Sequence, residues 1–367
     1  MTQRAAGDVP LRVLSLPDYS HANPYQRQLA AGLARQGVRS IGGRPGKYQP
    51  FPILSAWVRA GRPSVLHLHW THEYLKGRDG PTRLNRLRFL SQLRLLKRLG
   101  VRLVWTMHNL GGHDGPKHAH EMAVHRTLVG LADAVICHCR AARDAAIAAY
   151  GLDAATAARL HVIPHGSYLG VYPDTLDRDA ARARLGLVDA GPVLLFLGAI
   201  RGYKGTDDLI AAFRAIDDPT ARLLIAGKPR GEALEDKLGA AATADPRIRL
   251  ELRFVPDEEL QVWLRAADLM VLPFRDILTS GSAILALSFG LPVVAPALGC
   301  LPETVPPDAG ILYDPASPDA LAAALTRALA ADLPAMRDAA LGAARALDWD
   351  TIAAATTARY RGEPPAR

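Results

Sequence analysis

Short apolar runs of β character alternate with longer helical stretches, in two successive series. The first series comprises residues 11–16, 65–68, 102–106, 134–136 and 161–163. The second comprises 193–197, 222–226, 248–252, 269–272, 293–295 and 311–313. An irregular Pro/Gly/Tyr stretch, 164–173, divides them. Continuous apolar strands interleaved with helices mean parallel sheets covered on both faces. The chain is therefore expected to form two doubly wound, Rossmann-like α/β domains at residues 1–170 and 171–345. Sheets of this kind take ligands beyond the carboxyl ends of their strands, so a cleft between the domains is the expected site.

The totals narrow the class. At 367 residues the chain is long for one core, and 49% hydrophobic with 22% charged residues excludes a disordered protein. No apolar run approaches the ~20 residues of a spanning helix. Residues 1–10 lack the apolar core of a secretion signal, so a cytoplasmic location is expected. Cys137-His138-Cys139 closes an apolar run with no second ligand cluster, and no metal site is expected there.

The net charge of +8 is unevenly spread. Lys76, Arg78, Arg83, Arg86, Arg88, Arg94, Lys97, Arg98 and Arg102 face only Asp79 within one window. Leu84, Leu87, Leu90 or Ser91, and Leu95 recur near helical spacing, so a basic amphipathic helix is predicted over Arg83–Leu99. It reads either as a solvated outer helix or, between Arg83 and Arg102, as a dock for anionic lipid head groups. Aromatics are few there and no recognition motif appears, so no nucleic acid is expected.

Two glycine-containing segments suit a phosphate. Thr279-Ser280-Gly281-Ser282 opens an apolar helix, whose free amides and positive dipole end attract an anion. Upstream, the run 193–197 ends in Gly198-Ala199-Ile200-Arg201-Gly202-Tyr203-Lys204-Gly205, two cations among glycines. At the carboxyl edge of one sheet the two would converge on a diphosphate. No G-x-G-x-x-G follows the first strand, and Lys204 lacks the glycine spacing and following Ser/Thr of a Walker loop.

In their order and spacing these pieces resemble the GT-B nucleotide-sugar glycosyltransferases, family 4-like, of the bacterial surface-polysaccharide type. The resemblance rests on Val104 to Asn109, Val162 to Gly166, Gly198 to Gly205, Ala267 to Pro273, Ser280 to Ser282, Gly290 to Ala295 and the final helix at Trp349. It implies that residues 346–367 cross back onto the N-terminal domain, which takes the acceptor, while the C-terminal domain takes the nucleotide sugar. Arg201 and Lys204 resemble the family's cations on the donor diphosphate, with Thr279, Ser280, Gly281 and Ser282 beside them and no cofactor or metal required. His108 matches the family's histidine near the sugar.

Asp114, oriented by His113, would be the base for the acceptor hydroxyl. Asn23 and Tyr25 on the first loop would touch donor sugar or acceptor. His67, His69 and His72 are strand-end polar residues or part of a ligand set that lacks a further member. The chain departs from the family at Ile277 and Leu285, where many retaining relatives carry glutamates, and at Ala199, where many carry Arg. Asp276 stands one place from the first of these. The implied activity is transfer of a hexose from a UDP- or GDP-sugar to a saccharide acceptor, polyprenyl-diphosphate-linked at the inner face of the membrane. A small soluble acceptor, or a catalytically idle sugar-nucleotide-binding partner, are the alternatives.

Overall fold

The computed structural model describes residues 10–43, 50–77, 80–81, 83–111 and 116–364. The chain divides into two compact units, Met1–Gly166 with Asp348–Arg367, and Ser167–Leu347.

The first unit holds strands β1 (Leu11–Leu16), β2 (Val38–Gly42), β3 (Val65–Leu68), β4 (Arg102–Met107), β5 (Ala134–Cys137) and β6 (Leu160–Val162). All pair in parallel, in the order β2-β1-β3-β4-β5-β6. Strands β3 and β5 are buried along their whole length, as strands covered on both faces must be. Strand β2, which the apolar pattern does not announce, is an edge strand with only Val38 fully buried. Edge strands need no continuous apolar run, so its sequence carries little signal.

Helix 24–35 begins at Asn23, whose Oδ1 accepts from the Tyr25 amide at 3.0 Å, with Pro24 in the first turn. The last helix, Trp349–Arg361, is capped by Asp348 and ends on Gly362 in the left-handed region. It belongs to the first unit and packs on helix 24–35 through Trp349, Ile352 and Ala353. Their approach is close: a Cβ on Gly32 would stand 2.9 Å from the Trp349 carbonyl oxygen.

The second unit holds β7 (Val193–Leu197), β8 (Arg222–Ala226), β9 (Ile248–Glu251), β10 (Leu269–Val271), β11 (Val293–Pro296) and β12 (Gly310–Tyr313). Their order is β9-β8-β7-β10-β11-β12, again parallel. Apolar residues of both faces form two core clusters, one including Leu195, Met270 and Leu287 and the other Phe196, Ile225 and Val294. A buried Asp268 carboxylate ties the start of β7 by accepting from the Val193 amide at 2.8 Å, while pairing with Arg182 at 2.8 Å and with Arg178. Leaving that carboxylate unpaired would be costly, and three arginines surround it.

Candidate active site

In a doubly wound sheet the ligand crevice opens where the strand order reverses, because the loops after the two central strands diverge there. In the second unit the reversal lies between β7 and β10. The loops that leave those strands are Gly198–Gly205 and the segment from Leu272 to Ser280. Contacts bind the two segments, and the helix Thr206–Arg214 that follows the first, together. The Arg275 amide donates to the Tyr203 carbonyl at 2.8 Å, and the Arg275 guanidinium forms a two-pronged pair with Asp208 at 2.8 Å on each side. Lys204 Nζ stands 5.8 Å from the centroid of the Phe274 ring. Gly205, at φ 68°, lies so close beneath Pro273 that a Cβ there would stand 2.0 Å from its carbonyl oxygen.

Lys204 is the centre of this arrangement. A Cβ on Gly198 would stand 3.6 Å from Lys204 Nζ and 3.5 Å from Ser282 Oγ, so the loop cation and the helix start meet above one glycine. Gly198 has φ 134°, a conformation that only glycine adopts without strain. No carboxylate pairs with Lys204 among the described residues. Burial, reinforced by the positive charge of Arg201, pulls its ammonium down to about 8. Arg201 is half-buried, and one of its nitrogens donates to the carbonyls of Ile200 at 2.7 Å and Lys228 at 3.1 Å.

The helix Gly281–Ser288 starts beside them. Ser280 Oγ accepts from the Ala283 amide at 3.1 Å and the residue is 7% exposed, so its side chain caps the helix. Gly281 and Ser282 are half-exposed, and first-turn amides have no intrahelical acceptor. Tyr168, which the sequence did not single out, places its hydroxyl 3.2 Å from where a Gly281 Cβ would be. Thr279 Oγ1 lies 3.6 Å from Cys300 Sγ, and Asp276 is exposed. Ile277 and Leu285 pack against the apolar core, which explains how the helix tolerates apolar residues at both places.

In the first unit the order reverses between β1 and β3. The loop after β1 carries Asn23, whose side chain is occupied as a helix cap. Tyr25 is 3% exposed. Its ring is packed by His69, His108, His138 and His165, at centroid distances of 5.9, 5.2, 5.4 and 4.8 Å, and by Trp349 at 5.5 Å.

These histidines come from the carboxyl ends of β3, β4, β5 and β6, and the sheet edge alone brings them together. Burial and their mutual repulsion hold His69 and His108 well below the ordinary imidazole value, and burial lowers His67 to about 3 and His138 to about 4. All are neutral at pH 7. His108, half-buried, stacks on Trp70 with centroids 4.4 Å apart and planes 12° from parallel. His67 is satisfied by the Tyr360 hydroxyl at 2.7 Å and Thr106 Oγ1 at 2.8 Å, and among the described residues no three His, Cys, Asp or Glu are arranged to hold a metal. His113 and Asp114 lie outside the described residues.

Two parallel-sheet units, one with a cationic switch-point loop facing a helix start, define a glycosyltransferase of the GT-B type. Residues 16–167 match the family described as Glycosyltransferase Family 4, and residues 191–331 match glycosyl transferases group 1. D-inositol 3-phosphate glycosyltransferase 1 of Catenulispora acidiphila is 33% identical over 82% of this chain and 72% of its own length. GDP-mannose:glycolipid 4-beta-D-mannosyltransferase of Xanthomonas campestris pv. campestris is 29% identical over 85% of this chain and 82% of its own. Among solved structures, sucrose-phosphate synthase of Thermosynechococcus elongatus shares the fold with a TM-score of 0.71 at 21% identity, covering 95% of this chain and 98% of that one. Anabaena HepE, in complex with UDP and glucose, follows at 0.70 and 18%, covering 95% and 98%. The chain belongs to the family 4-like glycosyltransferases.

Proposed function

We propose that the protein transfers a hexose from a UDP- or GDP-linked sugar to a hydroxyl of a lipid-linked saccharide. The observation that carries the donor half is Lys204, a half-buried cation without a carboxylate partner, beside Gly198 and the start of helix 281–288. As the bond between the anomeric carbon and the diphosphate oxygen breaks, an electron pair stays on the leaving oxygen. Lys204, Arg201 and the first helix amides stabilise that charge, since they are held in place before it forms. The acceptor oxygen bonds to the anomeric carbon, and its proton passes to the Asp114 carboxylate, the base assigned from the sequence. In the first unit we assign His108 a hydrogen bond to a substrate hydroxyl, with Trp70 fixing the plane of its ring. HepE was solved with UDP and glucose, and the Xanthomonas relative is named for GDP-mannose and a glycolipid. Both support a nucleotide-sugar donor.

The lipid half rests on helix Arg83–Arg98. Phe89, Leu90, Leu93 and Leu96 form its buried face, whereas Leu84, Leu87 and Leu95 are 63%, 61% and 42% exposed. Arg83, Arg94 and Arg98 are exposed on the same helix. Exposed leucines among arginines suit an anionic membrane surface at the inner face. No helix among the described residues is long and apolar enough to cross a membrane.

A panel of sugar nucleotides, offered with polyprenyl-linked and soluble saccharide acceptors, tests this. Transfer to the lipid-linked acceptor, lost in Lys204→Ala, is expected. Turnover on soluble acceptors alone would move the protein to the alternative, and binding of donor without any turnover would make it an idle partner.

A further inference from the structure

Three hydrogen bonds in the first unit meet on one imidazole and one carbonyl that the transfer chemistry does not use. His125, on the helix Pro116–Leu131, is 5% exposed. Burial holds its ring below the ordinary imidazole value, so it is neutral at pH 7. Its Nδ1 lies 2.8 Å from the Leu110 carbonyl oxygen, and its Nε2 lies 2.8 Å from Thr71 Oγ1. A carbonyl only accepts, so the single ring proton sits on Nδ1 and the Thr71 hydroxyl donates to Nε2. The hydroxyl of Tyr150, the last residue of the helix Arg140–Tyr150, donates to the same Leu110 oxygen at 2.6 Å and takes its second lone pair.

The two partners of His125 belong to different loops. Thr71 follows Trp70 on the loop that leaves β3, and Leu110 stands two residues after His108 on the loop that leaves β4. Such connections ordinarily run over the surface and move more than the elements they join. Here one buried side chain spans both. Trp105 packs on the imidazole with centroids 4.9 Å apart and donates its indole N–H to the His69 carbonyl at 3.2 Å, a second tie to the loop after β3. The Trp70–His108 stack is made by the residues beside these ties, so its geometry follows the distance at which His125 holds Thr71 and Leu110.

We propose that His125 is a positioning residue for the transfer reaction: it clamps Thr71 to Leu110 and thereby sets the Trp70–His108 stack, with Tyr150 as the second anchor of Leu110. The same clamp fixes the start of the segment that leads to Asp114. A displacement of about 1 Å in a group that meets substrate can cost about a hundredfold in rate, so a clamp remote from the chemistry acts on kcat. The catalytic consequence rests on the reading that His108 and Asp114 meet the substrate; the clamp itself does not.

NMR of the full, ligand-free chain should show His125 as the Nδ1–H tautomer, and the His108 ring protons shifted upfield by the face of Trp70. In His125→Phe, which keeps a ring and removes both hydrogen bonds, the His108 signals should move toward ordinary positions. In the transfer assay kcat should fall about tenfold, one lost hydrogen bond's worth, with the donor KM within about twofold. His125→Asn, whose amide nitrogen stands in for Nδ1 at Leu110, should recover part of the upfield shift and of kcat. A wild-type His125 carrying its proton on Nε2 would overturn the proposal, and needs no variant that might fail to fold. His108 signals unchanged in His125→Phe would overturn it equally, as would an Asn variant no better than Phe. Absence of transfer by the wild type would instead remove the proposed function and leave the tautomer and ring-shift results to decide the clamp.

Discussion

The Lys204 ammonium lies 3.6 Å from the point where a Cβ on Gly198 would stand, across the loop that leaves the first strand of the second unit. The contact ties a backbone conformation to a charge. Only a residue without a side chain accepts φ 134° there, and only an empty position above it leaves room for an anion at Lys204.

Gly198→Ala should therefore impair donor binding and stability together. Strain at such a φ is of order 1–3 kcal/mol, and the new methyl enters the space between Lys204 and Ser282. Calorimetric titration with UDP and GDP should show affinity at least about tenfold weaker. Thermal unfolding should show a midpoint lower by several degrees.

Donor binding should weaken in alkali. The folded ammonium of Lys204 loses its proton through about 8, below the ordinary lysine value, so the cation that meets the diphosphate is present below that pH and lost above it. Bound diphosphate raises this value, so affinity measured from pH 7 to 9 should fall while protons are taken up on binding. Lys204→Ala should bind more weakly and show a flat profile. A wild-type affinity constant across that range would contradict the role given to Lys204.

The histidine group should make the first unit acid-labile. His67, His138 and His165 sit near 3 to 4 when folded and near 6.5 when unfolded. Between those values the unfolded chain binds more protons, so stability is full above about pH 6.5 and falls as pH drops toward 4. Each pH unit within the window costs about 1.4 kcal/mol per histidine involved. Denaturant titrations at pH 7.5, 6 and 5 should give steadily lower stability, and His67→Gln, which keeps hydrogen-bonding capacity, should flatten the slope.

Membrane docking predicts a separable defect. Replacing Leu84 and Leu87 by Ser should leave folding intact, because both side chains are exposed, and should reduce sedimentation with anionic vesicles. Binding at low salt that is equal for neutral and anionic vesicles, or unaffected by the double substitution, would remove the lipid argument.

How much of this was legible in the sequence depends on how each element earns its burial. Strands such as β7 and β11 are enclosed on both faces and announce themselves as unbroken apolar runs. Edge strand β2, half-exposed, does not. The cationic loop was legible because Arg201 and Lys204 stand among glycines within a few residues of a strand end. The sequence did not show Ser280 to be the helix cap, because capping and phosphate contact call for the same residue type at the same place. Leu84, Leu87, Leu90 and Leu95 fit a helical period, but of these only Leu90 joins the buried face, with Phe89, Leu93 and Leu96. The histidine group could not be assembled from spacing: His69, His108, His138 and His165 meet only because four parallel strands end at one edge.

The most direct test of the central claim is a crystal structure of the protein with UDP or GDP bound. The account predicts the diphosphate above Gly198, with Lys204 Nζ and the amides of Gly281 and Ser282 within hydrogen-bonding distance of its oxygens. A diphosphate bound away from the loop between Gly198 and Gly205, with Lys204 turned aside, would contradict it.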